Sequence, residues 1–220
     1  MPRRSTDFRG LSETNRVRLL GAVQDAPGST LKELAERLGL HVNTTRDHLA
    51  TLVNEGLVAV GSRPSKGRGR PPATYSPVVD PSTNRAASER VARSQETTER
   101  LRPVLVAVAQ GTKLGRDAAQ QLDVLFEHLA DTGLEPEVSD DVLQVKLVPC
   151  QFFRIVFEDQ EFACQVHRQL LRDILSQVEG PIELDELVPF TEPDACVVRL
   201  RHATAGRKPH HPRINTGSCE

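Results

Sequence analysis

The chain has 220 residues, room for one large or two small domains, and its 38% apolar and 4% aromatic content, with no Trp and one Tyr, demands an aliphatic core. A net charge of −2 hides an asymmetry: residues 1–80 hold 12 Lys/Arg against 8 Asp/Glu, whereas residues 81–205 hold 13 against 21. A basic front on an acidic rear excludes a uniformly nucleic-acid-coating protein and suggests a DNA module fused to a part that does not touch DNA, while the absence of a membrane-length apolar run and of a secretory pattern sets the expectation of a soluble cytoplasmic protein.

Residues 1–11 carry no periodicity and are expected to be flexible. Residues 12–80 then read as a winged helix-turn-helix. Apolar residues recur at helical spacing three times: Val17, Leu19, Leu20 and Val23; Leu31, Leu34, Ala35 and Leu38; and Val42, Leu49, Leu52 and Val53. Gly39 and Gly56 are placed to end the second and third helices in the left-handed conformation. A tight turn at Gly39 sets the third helix in a major groove, with Asn43, Thr44, Thr45, Arg46 and His48 expected to reach bases or phosphates. A short strand at VAV leads into SRPSKGRGRPPATY, a Gly- and Pro-rich hairpin carrying Arg63, Lys66, Arg68 and Arg70. A charge run alone is more often a solvated face, but basic residues on a hairpin beside a recognition helix fit phosphate or minor-groove contacts. A plain three-helix core leaves this wing unexplained.

PVVDPST at 77–83 marks a boundary, because its two prolines disfavour a continuing helix. Residues 81–112 are expected to form a linker or dimerisation helix from about Ala86 to Ala109. Its first half is polar and weakly stabilised alone, Pro103 kinks or restarts it, and Leu101, Val104, Leu105 and Val108 serve as dimer contacts. Residues 113–205 read as a small α+β sensor domain. It has a helix from Arg116 to Thr132 stopped by Gly133, a strand over 142–147, and an unclassifiable apolar run over 152–157. A helix within 162–180 closed by Gly180 follows, then a last strand at Ala195–His202. Residues 206–220 lack apolar periodicity and read as disordered.

Four cysteines stand at 150, 164, 196 and 219. Without an export signal a disulfide framework is not expected, and a free cysteine is commonly just a small buried apolar group. Cys150 at a strand end, Cys164 and His167 one helical turn apart, and Cys196 opening the final strand can nevertheless converge, and thiolates suit zinc, copper(I) or an iron–sulfur cluster. Cys219 lies in the tail and carries little weight. A nucleophilic Cys–His enzyme is disfavoured, since no oxyanion site or oriented base accompanies the pair.

Taken together, STLKELAERLGLHVNTTRDHLATLVNEGLV, GRGRPPATYSP, and the segments CQFF, ACQVH and DACVVRL resemble the SufR-like iron–sulfur-sensing repressors of the ArsR/DeoR-like winged-helix group, over roughly residues 12–202. The resemblance implies a repressor acting as a homodimer on double-stranded operator DNA, with an iron–sulfur cluster ([4Fe–4S] or [2Fe–2S]) on Cys150, Cys164 and Cys196. Gln151 stands where the family has Pro, and no cysteine lies between Cys164 and Cys196, so the fourth ligand falls to His167, to Glu179 or Glu183, or to an external thiol. The alternatives are a rear domain that binds a small organic ligand or zinc, or one that only dimerises.

Overall fold

The computed structural model describes residues 11, 13–63, 71–108, 115–134, 136–138, 143–147, 153–192 and 195–203, with backbone alone at 99–108, 137–138, 153–158 and 192. Helix α1 spans Thr14–Asp25, α2 Leu31–Leu38 and α3 Val42–Asn54. Thr30 opens α2 with a reciprocal cap: its hydroxyl accepts from Glu33 N, and the Glu33 carboxylate accepts from Thr30 N at 2.7 Å. Gly39 closes α2 at φ 65°, and three residues later α3 begins at Val42. Strands β2 (Val58–Ser62) and β3 (Ala73–Pro77) form the antiparallel wing, with Val60 opposite Tyr75. A short strand β1 (Ser29–Thr30) adds to the free edge of β3, giving the order β1-β3-β2. The two-stranded hairpin expected from the sequence is thus part of a three-stranded sheet, anchored at the entrance to α2.

The 77–83 stretch is a turn and a 3-10 helix (Pro81–Thr83), after which α4 runs over Arg85–Val108 and α5 over Arg116–Asp131. Asn84 starts α4 as its Oδ1 accepts from Ala86 N (2.8 Å) and Ala87 N (3.2 Å). Its amide nitrogen donates to the carbonyls of Val53 (2.7 Å) and Val58 (3.0 Å), so one buried side chain caps α4 and ties it to the exit of α3.

The polar first half of α4 is not a bare linker. It packs antiparallel to α5 through charge: Arg90 Nε donates to Asp131 (3.2 Å), Arg93 to Glu127 and Asp131 (2.8 and 2.9 Å), and the Thr98 hydroxyl to Asp123. Nor does Pro103 interrupt α4, which is helical to Val108.

The rear sheet holds β4 (Glu137–Val138), β5 (Gln144–Leu147), β6 (Ile182–Glu192) and β7 (Ala195–His202), all antiparallel, in the order β4-β5-β7-β6. Strand β6 is absent from the sequence reading. Helix α6 spans Phe153–Leu175 and takes in the run at 153–157; it breaks at Asp159, whose Oδ1 accepts from Phe162 N at 3.0 Å and starts the second half. It ends at Leu175, short of Gly180. Gly180 is needed for another reason: a Cβ there would lie 2.3 Å from Gln121 Oε1, the atom that receives Ile182 N at the start of β6.

One apolar cluster runs from Val17, Leu20 and Val23 of α1 through Leu125 and Leu129 of α5 and Leu170 and Ile174 of α6 to Val198 of β7. The 77–83 boundary therefore divides the chain, but not the core. Helix α1 lies against α2 and α3 on one side and α6 on the other. Gly21 is a point of close approach to α6: a Cβ there would stand 2.8 Å from Phe162 Cζ and 3.0 Å from Val166 Cγ2. Gln24 Nε2 donates to the Val166 carbonyl across the same seam (3.2 Å).

Candidate nucleic-acid interface

Helix α3 has two faces. Thr45, His48, Leu49 and Leu52 form the buried one, spaced i, i+3, i+4, i+7. The Thr45 hydroxyl donates to the His41 carbonyl (3.1 Å), and His48 Nε2 lies 3.5 Å from Glu13 Oε1. Both were expected on the DNA face; both instead lie on the buried face of α3. Asn43, Thr44 and Arg46 are exposed, as are Asp47 and Ala50, which the sequence reading passed over, and Val42, which it counted with the apolar residues of the helix. Arg46 Nη1 donates to Asn43 Oδ1 at 2.7 Å, and His41 caps the helix, its Nδ1 accepting from Asn43 N at 3.2 Å.

Among the wing cations, Arg63 is exposed but engaged. It donates to both Glu33 carboxylate oxygens (2.9 and 3.3 Å) and to the Gly28 carbonyl (2.9 Å). The Arg63 hydrogen bond, with those from Thr30, holds the Glu33 carboxyl down at about 2. Arg63 thus ties the foot of the wing to the start of α2. Lys66, Arg68 and Arg70 lie outside the described residues.

Behind the reader, Arg90 is 1% exposed and links two elements: Nη2 donates to the Glu55 carbonyl at the end of α3 (2.9 Å) and Nε to Asp131 of α5. No periodicity announces this residue. Asn84 has a signal, an Asn directly before a helical run.

The candidate ligands do not form one group. Cys164 on α6 is half-buried, and burial followed by the neighbouring Cys196 pushes its pKa up, against Arg168. Cys196, buried on β7, sits opposite Leu147 of β5. His167 turns elsewhere: burial lowers its pKa to about 4, and it influences His128 of α5, whose own pKa is lowered by burial, then by Arg90 and His167. Among the described residues Cys164, Cys196 and His167 do not gather into the group expected from the sequence. Glu183 is paired with Arg201 at 2.5 Å. Among the described residues no three His, Cys, Asp or Glu side chains gather as a metal site; Cys150 and Cys219 lie outside them.

Residues 15–60 match the family model of the IclR helix-turn-helix domain, about a fifth of the chain. No curated protein and no solved structure matches. The reader is thus of the IclR type, which corrects the SufR-like, ArsR/DeoR-like resemblance. The helix-turn-helix and wing residues that carried that resemblance are those any winged helix needs, an aliphatic spacing, a glycine turn and a basic hairpin, so they do not separate one such family from another. The domain is a DNA-binding, non-catalytic module, in keeping with a regulator and not an enzyme. Among the described residues no helix is long and apolar enough to cross a membrane.

Proposed function

We propose that this chain is a transcriptional repressor that binds operator DNA as a two-fold homodimer, with α3 in the major groove, the wing on flanking phosphates, and the rear α+β region setting the position of the reader. The observation that carries this reading is the exposed polar face of α3, with Asn43, Thr44 and Arg46 outward, in a helix-turn-helix of IclR type. A single recognition helix reads few bases, which is why such readers pair on half-sites roughly 34–36 Å or multiples apart. The seating of α1 between α3 and α6 supports the regulatory part, because a shift of α6 reaches the recognition helix through one element. Anisotropy titration of a labelled duplex, repeated between about 50 and 200 mM salt, tests the reading; affinity should fall linearly on logarithmic axes. A protein that ignores duplex DNA at the lowest salt ends it. Light scattering gives the protomer number.

A finer proposal is that an iron–sulfur cluster on Cys150, Cys164 and Cys196 modulates DNA binding. Its structural support is the neighbouring Cys164 and Cys196 thiols; His167 is dropped as a ligand for the reason given above. Anaerobic reconstitution should yield broad visible absorption that Cys164→Ala and Cys196→Ala each abolish. A colourless protein without iron rejects the cluster and leaves the DNA reading standing.

A further inference from the structure

The tip of α3 carries an arrangement that the amino-acid types alone do not explain. Val42 is the first residue of the helix and is 38% exposed, one of three large apolar side chains exposed among the described residues; the others are Val60 in the wing and Val79. A β-branched residue at an exposed first turn gains nothing in helix propensity and fills no core. One turn on, the Arg46 guanidinium is held by Asn43 Oδ1 at 2.7 Å. That bond uses one of its five N–H groups and leaves the fork able to donate a bidentate pair outward. Asp47, on the same outward side, accepts only. A carboxylate at that place repels phosphate, so this part of α3 is built to face base edges and not the backbone.

We infer that Val42 and Arg46 read a thymine and a guanine in each half-site, with Val42 methyls packed on the thymine 5-methyl and Asn43 positioning Arg46 on guanine O6 and N7. The inference rests on the DNA-binding reading proposed above and adds base identity to it. Residues 42 and 46 lie about 6 Å apart along the helix and on one side of it. Base pairs rise about 3.4 Å each, so the two bases fall about two steps apart.

The test selects duplexes from a randomised pool with the full chain, then replaces each selected thymine in turn by deoxyuridine, which lacks only the methyl group. One thymine per half-site should weaken wild-type binding by about fourfold when so replaced, the worth of one buried methyl. Val42→Ala should bind thymine and uracil duplexes alike while keeping the wild-type salt slope; Val42 lies outside the core, so the variant keeps its fold. Arg46→Lys keeps the charge and loses the fork, so preference for the paired guanine should fall by roughly 5- to 150-fold. Asn43→Ala should reduce the same preference less, with Arg46 still in place. Uniform indifference to uracil in the wild type, or a Val42→Ala variant that still senses the methyl group at the same position, overturns the inference. Salt-dependent binding without enrichment of any sequence overturns it while sparing the DNA reading; no binding to any duplex removes both.

Discussion

Gly21→Ala is the most direct probe of the seam between reader and rear domain. The methyl group it adds sits 2.8 Å from Phe162 Cζ, 3.1 Å from Phe162 Cε2 and 3.0 Å from Val166 Cγ2. Two effects oppose. Alanine in mid-helix is favoured over glycine by about 0.5–1 kcal/mol. Overpacking of a close contact costs about 1–3 kcal/mol. The Phe162 ring tip is half-buried and can yield, but Val166 is 2% exposed and hemmed in by the core. The expected net is a loss of about 1 kcal/mol, read as a lower urea midpoint at unchanged m. The decisive step is a double-mutant cycle with Phe162→Leu, which removes the ring tip. If the methyl group strikes Phe162, the two changes couple favourably by at least about 0.5 kcal/mol. Additivity, or a Gly21→Ala chain more stable by the whole propensity term, would show that α1 does not press on α6.

Three further outcomes follow from the buried polar contacts. Asn84→Ala removes a cap and leaves the Val53 and Val58 carbonyls without their amide donor, so unfolding free energy should drop by about 2–3 kcal/mol in chemical denaturation. In Arg63→Ala the Glu33 carboxyl, held at about 2 against an ordinary 4.5, should titrate nearer the ordinary value in a carbon-detected NMR titration. A Glu33 midpoint that stays put assigns the depression to Thr30 alone. Since the folded value lies below the unfolded one, Glu33 favours folding above pH 4.5 and loses that contribution as pH falls toward 2. His167 behaves in the same sense in a higher window. Its folded pKa of about 4 lies below the ordinary 6.5, so the unfolded chain takes up the proton first and stability falls from pH 6.5 toward 4. The full effect is about 3 kcal/mol, and His167→Leu should flatten the pH profile of the denaturation midpoint there; an unflattened profile would move the titration to His128.

The reader's helices were legible because their signals are local. Thr30 with Glu33, Gly39 and the aliphatic spacing of α2 and α3 act within one or two turns. Thr45 and His48 were misplaced because their chemistry was weighed before their position, although they share the i, i+3, i+4, i+7 stripe with Leu49 and Leu52. Strand β6 escaped because its register shifts between Leu184 and Glu186, which breaks the alternation of Ile182, Leu184 and Leu187 that marks a strand. The polar half of α4 looked solvated because Arg90 and Arg93 meet their carboxylates some 40 positions away. No window along the chain contains both partners.

The double seating of α1 bears on how this reader can be handled as a part. Val17, Leu19, Leu20, Ala22 and Val23 are all buried, by α2 and α3 on one flank and by α6 on the other. Cutting the chain after the wing would strip one flank and present an aliphatic stripe, with Gly21 at its centre, to solvent or to another copy. The DNA-reading segment is thus not a cassette to be grafted onto a foreign effector domain as it stands. A chimera that keeps the reader through the wing has to bring α6, or a helix that presents side chains like Phe162 and Val166 to Gly21, as the missing wall.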